Sequence, residues 1–265
     1  MQSIPVTAQT FEAITVPAQI NPQVESPYAG RILVSLFAYN EGEKLRMTLD
    51  RFPAERSYDV LIVDDGTTDG SLEGVEDRGF ILVRNEGNLG LGASIKKAFH
   101  YALKNDYEVI VIMAGNGKDD PNEIARLVKP LVEDNFDFVQ GSRFLNGGAY
   151  GNMPLTRLLA TKIIHPAIFS VLSGRRVTES TNGFRAFKTS VLRDERINWE
   201  QSWLDQYELE QYLHFKIVRL GYRRTEVAVS KIYPTKGPGY TKVKPLTGWW
   251  SMIKPLVCLA AGVRR

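Results

Sequence analysis

Apolar positions along the chain fall into two alternating rhythms. Short, nearly continuous apolar runs occur at Arg31 to Phe37, Asp59 to Val63, Phe80 to Arg84, Glu108 to Met113 and Phe136 to Gln140. Runs of that length, rich in Val, Ile and Leu, predict strands buried on both faces. Helical stretches separate them, one over about 41–51 and one from Leu91 to Lys104. In the second, Leu91, Ile95, Ala98 and Ala102 share one face at the 3.6-residue period. Pro121 opens a further helix at a favoured early position. Strands alternating with helices predict βαβ units, hence an α/β fold with a mainly parallel sheet flanked by helices.

The second half is less regular. Leu155 to Leu172 is apolar on most faces, with Arg157 and Lys162 near its start and Arg175-Arg176 beyond its end. It reads as a buried core helix, the alternative being a helix laid on a membrane surface and held by its basic flanks. Asp205 to Leu220 predicts a helix that Gly221 stops, and Arg223 to Ser230 a strand. Residues 1–29 show no period and read as an extended arm. Residues 233–248, rich in Pro, Gly, Lys and Thr, read as a flexible loop. Trp249, Trp250 and Ile253 begin a short amphipathic C-terminal segment with basic Lys254, Arg264 and Arg265.

Composition narrows the function classes. The chain has 265 residues, 43% of them hydrophobic and 24% charged, as in an ordinary globular protein. A net charge of +3 without a long Lys/Arg block gives no footprint for nucleic acid. Cys258 is the single cysteine, which excludes an internal disulfide framework and a multi-cysteine zinc site. That cysteine usage leads to the expectation of a reducing, cytoplasmic compartment. No secretory pattern is visible, and no apolar run approaches the roughly 18 residues of a membrane span, the candidates around Ile163 to Leu172 and Leu256 to Val263 being interrupted or too short. Oligomeric state is left open.

The densest chemistry lies at Asp59 to Ser71, where an apolar strand ends in Asp64-Asp65 and a Gly/Thr turn follows. Ligands of open α/β sheets sit outside the carboxyl ends of strands, where such carboxylates bind hydroxyls, base N–H groups or a metal. An Asp-Gly turn with a helix cap would use the same residues. Further motifs follow in order: Ala38-Tyr39-Asn40-Glu41-Gly42-Glu43, Val63 to Gly70, Asn88-Leu89-Gly90-Leu91-Gly92-Ala93, Gly141-Ser142-Arg143, Thr181-Asn182-Gly183-Phe184-Arg185 and Tyr207-Glu208-Leu209-Glu210. Over about residues 31–235 this series resembles the family 2 glycosyltransferases of GT-A, Rossmann-like fold, especially the dolichol- and polyprenyl-phosphate sugar synthases.

The resemblance implies a nucleoside diphosphate sugar donor, inversion at the anomeric carbon, and a polyprenyl phosphate or a growing surface glycan as acceptor, with peripheral contact at the inner face of a membrane. It implies that Ala38, Tyr39 and Glu41 hold base and ribose, that Asp65 reads the base edge, and that Gly90 and Gly92 let the backbone approach an anion at a helix start. The family's metal-binding Asp-x-Asp reads Ala114-Gly115-Asn116 here. Asn116 can offer only a neutral carbonyl oxygen, so Mg²⁺ or Mn²⁺ is an open expectation that rests on Asp119, Asp120 or the substrate diphosphate compensating. The alternative is a metal-independent site in which Arg143, Arg185, Lys118 or the loop residues Lys236 and Lys242, beside Tyr240, neutralise the leaving group. Glu208 and Glu210, with Asp205 behind them, are the base candidates for a hydroxyl acceptor, and Glu208 matches the family position better.

The expected organisation is an extension at 1–29, a GT-A domain at 30–235 with an acceptor-side subregion towards its C-terminus, and a loop with an amphipathic segment at 236–265. Two rivals stand beside it. One is a nucleotide-sugar-binding module that has lost catalysis. The other, a sugar-1-phosphate nucleotidyltransferase, is disfavoured because no Gly-rich, Arg/Lys-bearing loop lies near the N-terminus.

Overall fold

In the computed structural model, residues 30–233 and 247–263 are described. The order is β1 (Ile32–Ala38), α1 (Glu43–Asp50), β2 (Asp59–Asp64), β3 (Ile81–Arg84), α2 (Leu91–Lys104), β4 (Val109–Ala114), α3 (Ile124–Val132), β5 (Phe138–Ser142) and β6 (Ala149–Gly151). It continues with α4 (Leu155–Leu159), a π-helical turn (Ala160–Ile164), α5 (His165–Ser173), β7 (Arg185–Lys188), α6 (Glu208–Leu220), β8 (Arg224–Ala228), β9 (Ser230–Ile232) and α7 (Thr247–Ala260). The expected extension at 1–29 and the loop residues Lys236, Tyr240 and Lys242 lie outside the described residues, as do Arg264 and Arg265.

Seven strands form one sheet in the order β3-β2-β1-β4-β7-β5-β8. Strands β1 to β4 pair in parallel, β7 runs antiparallel to both β4 and β5, and β8 pairs in parallel with β5. The fold is therefore α/β with a mixed, mostly parallel sheet. Every residue of β1 is buried, which explains why the strand reads as a solid apolar run. Alternate side chains still serve two cores. Val34, Leu36, Val60 and Ile62 pack with Leu45 and Leu49 of α1 and with Leu127 and Leu131 of α3. Leu33, Phe37, Leu61 and Val63 face Ile95 and Phe99 of α2 and Leu213 of α6.

Leu155 to Ser173 forms one continuous helix of 19 residues, long and apolar enough to cross a membrane by length and composition. The polar residues that interrupt the apolar run in sequence do not interrupt the helix. Pro166 has no N–H and crowds the carbonyl one turn back, and the chain widens into the π turn just before it. The expectation of a buried core helix is corrected here, because only 28% of its apolar window is buried. His165 and Phe169 face inwards, whereas Leu155, Leu159 and Ile163 stand exposed at four-residue spacing, together with Ile164 and Val171. The C-terminal amphipathic segment is helix α7, and its Leu256 packs among Phe169, Val177, Phe215 and Val218.

Candidate active site

The carboxyl ends of β1 and β2 are clasped before any ligand is considered. The Asp65 N–H donates to the Ala38 carbonyl at 2.9 Å. Thr67 N–H donates to Asp64 Oδ1 at 2.7 Å, and Thr68 N–H to Asn40 Oδ1 at 2.8 Å. Asn40 occupies the left-handed region at φ 50°, which Asn tolerates better than most residues. Asp69 Oδ2 accepts from the Gly42 N–H at 2.8 Å, an exposed donor at the start of α1. Tyr39, 37% exposed, and half-buried Glu41 follow the end of β1 beside this clasp. Ala38 is core and does not reach solvent.

Asp65 is buried and fully engaged. Its Oδ1 accepts from Asn85 Nδ2 at 2.8 Å and the Leu89 N–H at 3.0 Å, and its Oδ2 from the Gly90 N–H at 3.0 Å. In this structure the carboxylate holds the 85–90 loop rather than facing a base. Gly90 and Gly92 do permit a close backbone approach, but the approaching group is the chain itself. A Cβ on Gly92 would lie 1.9 Å from the Leu204 carbonyl oxygen, and one on Gly90 2.6 Å from that of Asp205. The Ala93 N–H at the start of α2 is taken by the Asp205 carbonyl at 3.0 Å. Their expected place as an anion cradle is corrected to a packing contact with residues 204–206.

Two expected phosphate ligands are corrected in the same way. Arg143 lies under the surface with its Nε 2.7 Å from Glu179 Oε2, side-chain exposures being 2% and 0%. Burial works against its charge, and Glu179 more than offsets that, so the guanidinium titrates even higher than usual. Arg185 lies in β7, in the middle of the sheet, and donates to the Asn182 carbonyl at 2.7 Å and the Glu210 carbonyl at 3.0 Å. Glu210 Oε1 is 3.7 Å from the same guanidinium, which makes Glu210 a structural partner and leaves Glu208 as the better catalytic candidate. The Glu208 Oε2 is buried without a hydrogen-bond partner among the described residues, at the first turn of α6. Asp205 is held by Lys96 at 2.5 Å.

At the Asp-x-Asp position, a divalent cation does not fit the side chains present. Ala114 offers no side-chain oxygen, and Gly115 is tight against the Phe37 carbonyl and Leu45. Asn116 Oδ1 is buried without a partner, a single neutral acceptor. Asp119 cannot compensate: it is fully buried, with Oδ1 2.5 Å from Lys231 Nζ and Oδ2 accepting from the Ala114 N–H at 3.2 Å. Asp120 caps the turn at Pro121 by accepting from the Asn122 N–H at 3.0 Å. No group of three or more His, Cys, Asp or Glu among the described residues could hold a metal ion.

The sequence missed what surrounds this strand end. Tyr233, buried just after β9, carries the Lys118 ammonium 4.7 Å and the Arg157 guanidinium 5.3 Å from its ring centroid. Burial, then Lys231 and Arg157, bring the Lys118 amine down to about 8, against the opposing pull of Asp119 and Glu41. Burial and then the Glu210 and Glu41 carboxylates push the Tyr207 phenol up. Glu41, Lys118, Tyr207 and Glu210 therefore share one electrostatic neighbourhood, drawn from the segments that follow β1 and β4 and from the start of α6. Arg157 was legible only as a helix flank. Tyr233 follows a three-residue strand with no motif around it.

The profile described as "Glycosyl transferase family 2" matches residues 34–196. An undecaprenyl-phosphate mannosyltransferase of Micrococcus luteus is 30% identical over 208 residues, covering 76% of this chain and 83% of that protein. A UDP-N-acetylglucosamine–dolichyl-phosphate N-acetylglucosaminyltransferase of Methanococcus voltae is 27% identical over 173 residues, covering 59% of this chain and 68% of that protein. Among solved structures, the glucosyl-3-phosphoglycerate synthase of Mycobacterium tuberculosis, in complex with Mn²⁺, UDP and glucosyl-3-phosphoglycerate, superposes with a TM-score of 0.63 at 17% identity. The match covers 89% of this chain and 82% of that one, and it establishes the shared GT-A fold.

Proposed function

The chain belongs to glycosyl transferase family 2, and from that premise we propose that it moves a sugar from a nucleoside diphosphate sugar to a polyprenyl phosphate, working from the cytoplasmic side at a membrane surface. One observation carries the choice of acceptor. The donor-side strand end and the exposed apolar helix meet at a single ring, since Lys118 follows β4, Arg157 lies in α4, and both stand over Tyr233. A lipid phosphate whose chain lies along Leu155, Leu159 and Ile163 would enter at the end of the helix that touches the donor site. Exposed Lys162, Arg175, Arg176 and Lys254, with Trp250 59% exposed, suit an anionic bilayer surface. The two relatives described above carry a polyprenyl phosphate in their names and differ in the sugar, which supports the same acceptor.

The chemistry follows from that placement. Tyr39 and Glu41, which follow the end of β1, meet the nucleoside. An acceptor phosphate oxygen forms the new bond to the anomeric carbon while the bond from that carbon to the diphosphate oxygen breaks. The electron pair leaves with the diphosphate, and in-line displacement inverts the centre. The acceptor phosphate is already ionised and needs no base. Glu208 then accepts a hydrogen bond from a sugar hydroxyl and fixes the orientation of the ring.

The test supplies radiolabelled UDP- and GDP-sugars to the full-length protein with liposomes that contain undecaprenyl phosphate. Label in the organic phase is the expected result. Label confined to soluble glycan would overturn the lipid acceptor, and no transfer from any donor would favour the binding-module reading. Leu159→Glu with Ile163→Glu is expected to abolish liposome co-sedimentation while leaving nucleotide binding unchanged.

A further inference from the structure

We propose that Lys96, in the second turn of α2, is a positioning residue for Glu208 on α6. The inference rests on the role given to Glu208 above. Lys96 is only 8% exposed. Its ammonium has three donors, and it makes three contacts: the Glu200 carbonyl at 3.3 Å, the Gln201 carbonyl at 2.8 Å and Asp205 Oδ1 at 2.5 Å. All three acceptors belong to the short segment that leads into α6. With its donors spent in this way, the amine holds protein rather than substrate.

The same segment is gripped again at the start of α2. The Asp205 carbonyl accepts from the Ala93 N–H at 3.0 Å, and Gln206 Nε2 donates to the Leu89 carbonyl at 3.3 Å. Residue 205 is thus pinned to α2 by main chain and side chain at once. Only Gln206 and Tyr207 separate it from Glu208, the first residue of α6. Leu209 and Leu213 of α6 share a core with Ile95 and Phe99 of α2, so the two helices meet as packed bodies. Glu208 Oε2 has no hydrogen-bond partner among the described residues, so the direction of this carboxylate comes from the backbone that carries it. At its other end the lead-in to α2 is tied to Asp65, which accepts from the Leu89 and Gly90 N–H groups at 3.0 Å each. Helix α2 therefore links the carboxyl end of β2 to the group that orients the sugar. Loss of the Lys96 contact should tilt the first turn of α6 rather than unfold it. Arg185 still holds the Glu210 carbonyl at 3.0 Å, and the Asp205 side chain, 40% exposed, can be solvated.

The experiment measures sugar transfer to undecaprenyl phosphate in liposomes by the full-length wild type, Lys96→Met, Glu208→Gln and the double variant. All are assayed at a temperature where melts show each protein folded. Lys96→Met keeps the aliphatic stem and removes the ammonium. It is expected to lower kcat about fivefold while the donor KM stays within about twofold of wild type. The double variant should show only the loss of about tenfold expected for Glu208→Gln alone, because the lysine acts through that carboxylate. A lysine that only stabilises the fold would lower the thermal midpoint and leave kcat of the folded protein at the wild-type value, which would overturn the inference. So would losses that multiply to about fiftyfold in the double variant, the sign of two independent effects. Asp205→Asn removes the charge from the same contact and takes the place of Lys96→Met in the cycle if that variant does not fold. A normal kcat in Lys96→Met beside an impaired Glu208→Gln brings down this inference alone. An unimpaired Glu208→Gln, or no transfer by the wild type from any donor, brings down the reading beneath it as well.

Discussion

Lys231 sets its ammonium 2.5 Å from Asp119 Oδ1 where water scarcely reaches, the side-chain exposures being 10% and 0%. The pair ties the end of β4 to β9 and, through Asn182, to the turn before β7. A buried ion pair of this kind is costly to break from one side only, because the remaining charge is stranded. Lys231→Met should therefore lower unfolding stability by about 3 to 5 kcal/mol. Adding Asp119→Asn should recover much of the loss. Urea unfolding of the two single variants and the double variant checks this, and a loss in Lys231→Met of under about 1 kcal/mol would show the pair to be dispensable.

Gly92 is held by geometry rather than by ligand binding. A methyl group there would meet the Leu204 carbonyl oxygen at 1.9 Å and the Gln206 carbonyl at 2.7 Å, both backbone atoms that cannot rotate away. Gly92→Ala should cost about 3 kcal/mol, the upper end of ordinary overpacking, by prising α2 from the 204–206 segment. Thermal melts measure the loss. Nucleotide affinity at low temperature should change little, which separates a packing glycine from one that cradles phosphate.

Acid should loosen the packing around α5 and α6 first. Burial holds the His165 imidazole down to about 4, and burial with Arg185, Arg224 and His165 nearby holds His214 well below its ordinary range. His165 Nδ1 lies 2.8 Å from Ser180 Oγ, and His214 stacks on Phe138 and Phe169. Between the unfolded value near 6.5 and the folded value near 4, the unfolded chain binds a proton that the native His165 refuses. Stability is therefore full above pH 6.5, falls as the pH drops towards 4, and loses nothing more from this group below that. His165→Asn should flatten that slope by up to about 3 kcal/mol between pH 7 and pH 4 in urea titrations.

The alternation of buried strands and amphipathic helices was legible because each of β1, β2 and β4 is buried on both faces and reads as solid apolar sequence. Leu91–Lys104 emerged with its predicted bounds because its apolar face keeps a single period throughout. Strand β7 escaped notice: it is four residues long, begins with arginine, and looks like the end of a polar motif. That omission also misplaced Arg185, since a guanidinium in a central strand makes its contacts inside the protein. Arg143, Gly90 and Gly92 failed for a related reason. Their partners Glu179 and Leu204 to Gln206 lie far along the chain, and no local pattern announces them. Tyr39 and Glu41 follow the end of β1, and Glu208 opens α6, but no contact in the structure assigns them a ligand.

Glu208 and Glu210 separate structure from chemistry within one helical turn. Glu210 leans on Arg185 at 3.7 Å, whereas Glu208 buries an oxygen that no described group satisfies. Glu210→Gln should therefore lower the thermal midpoint, because it weakens the partner of a buried guanidinium. Glu208→Gln should leave the midpoint unchanged or raise it and act on turnover. The size of that effect distinguishes the acceptors. An ionised phosphate needs no general base, so with undecaprenyl phosphate the loss in kcat should be about tenfold, the cost of a misoriented sugar. A hydroxyl acceptor activated by Glu208 would lose a hundredfold or more, roughly the contribution of a positioned base. Measuring kcat for Glu208→Gln from pH 6 to pH 9 decides between them, since loss of a base would also remove the acidic limb of the profile, whereas loss of an orienting contact would lower the whole curve without changing its shape.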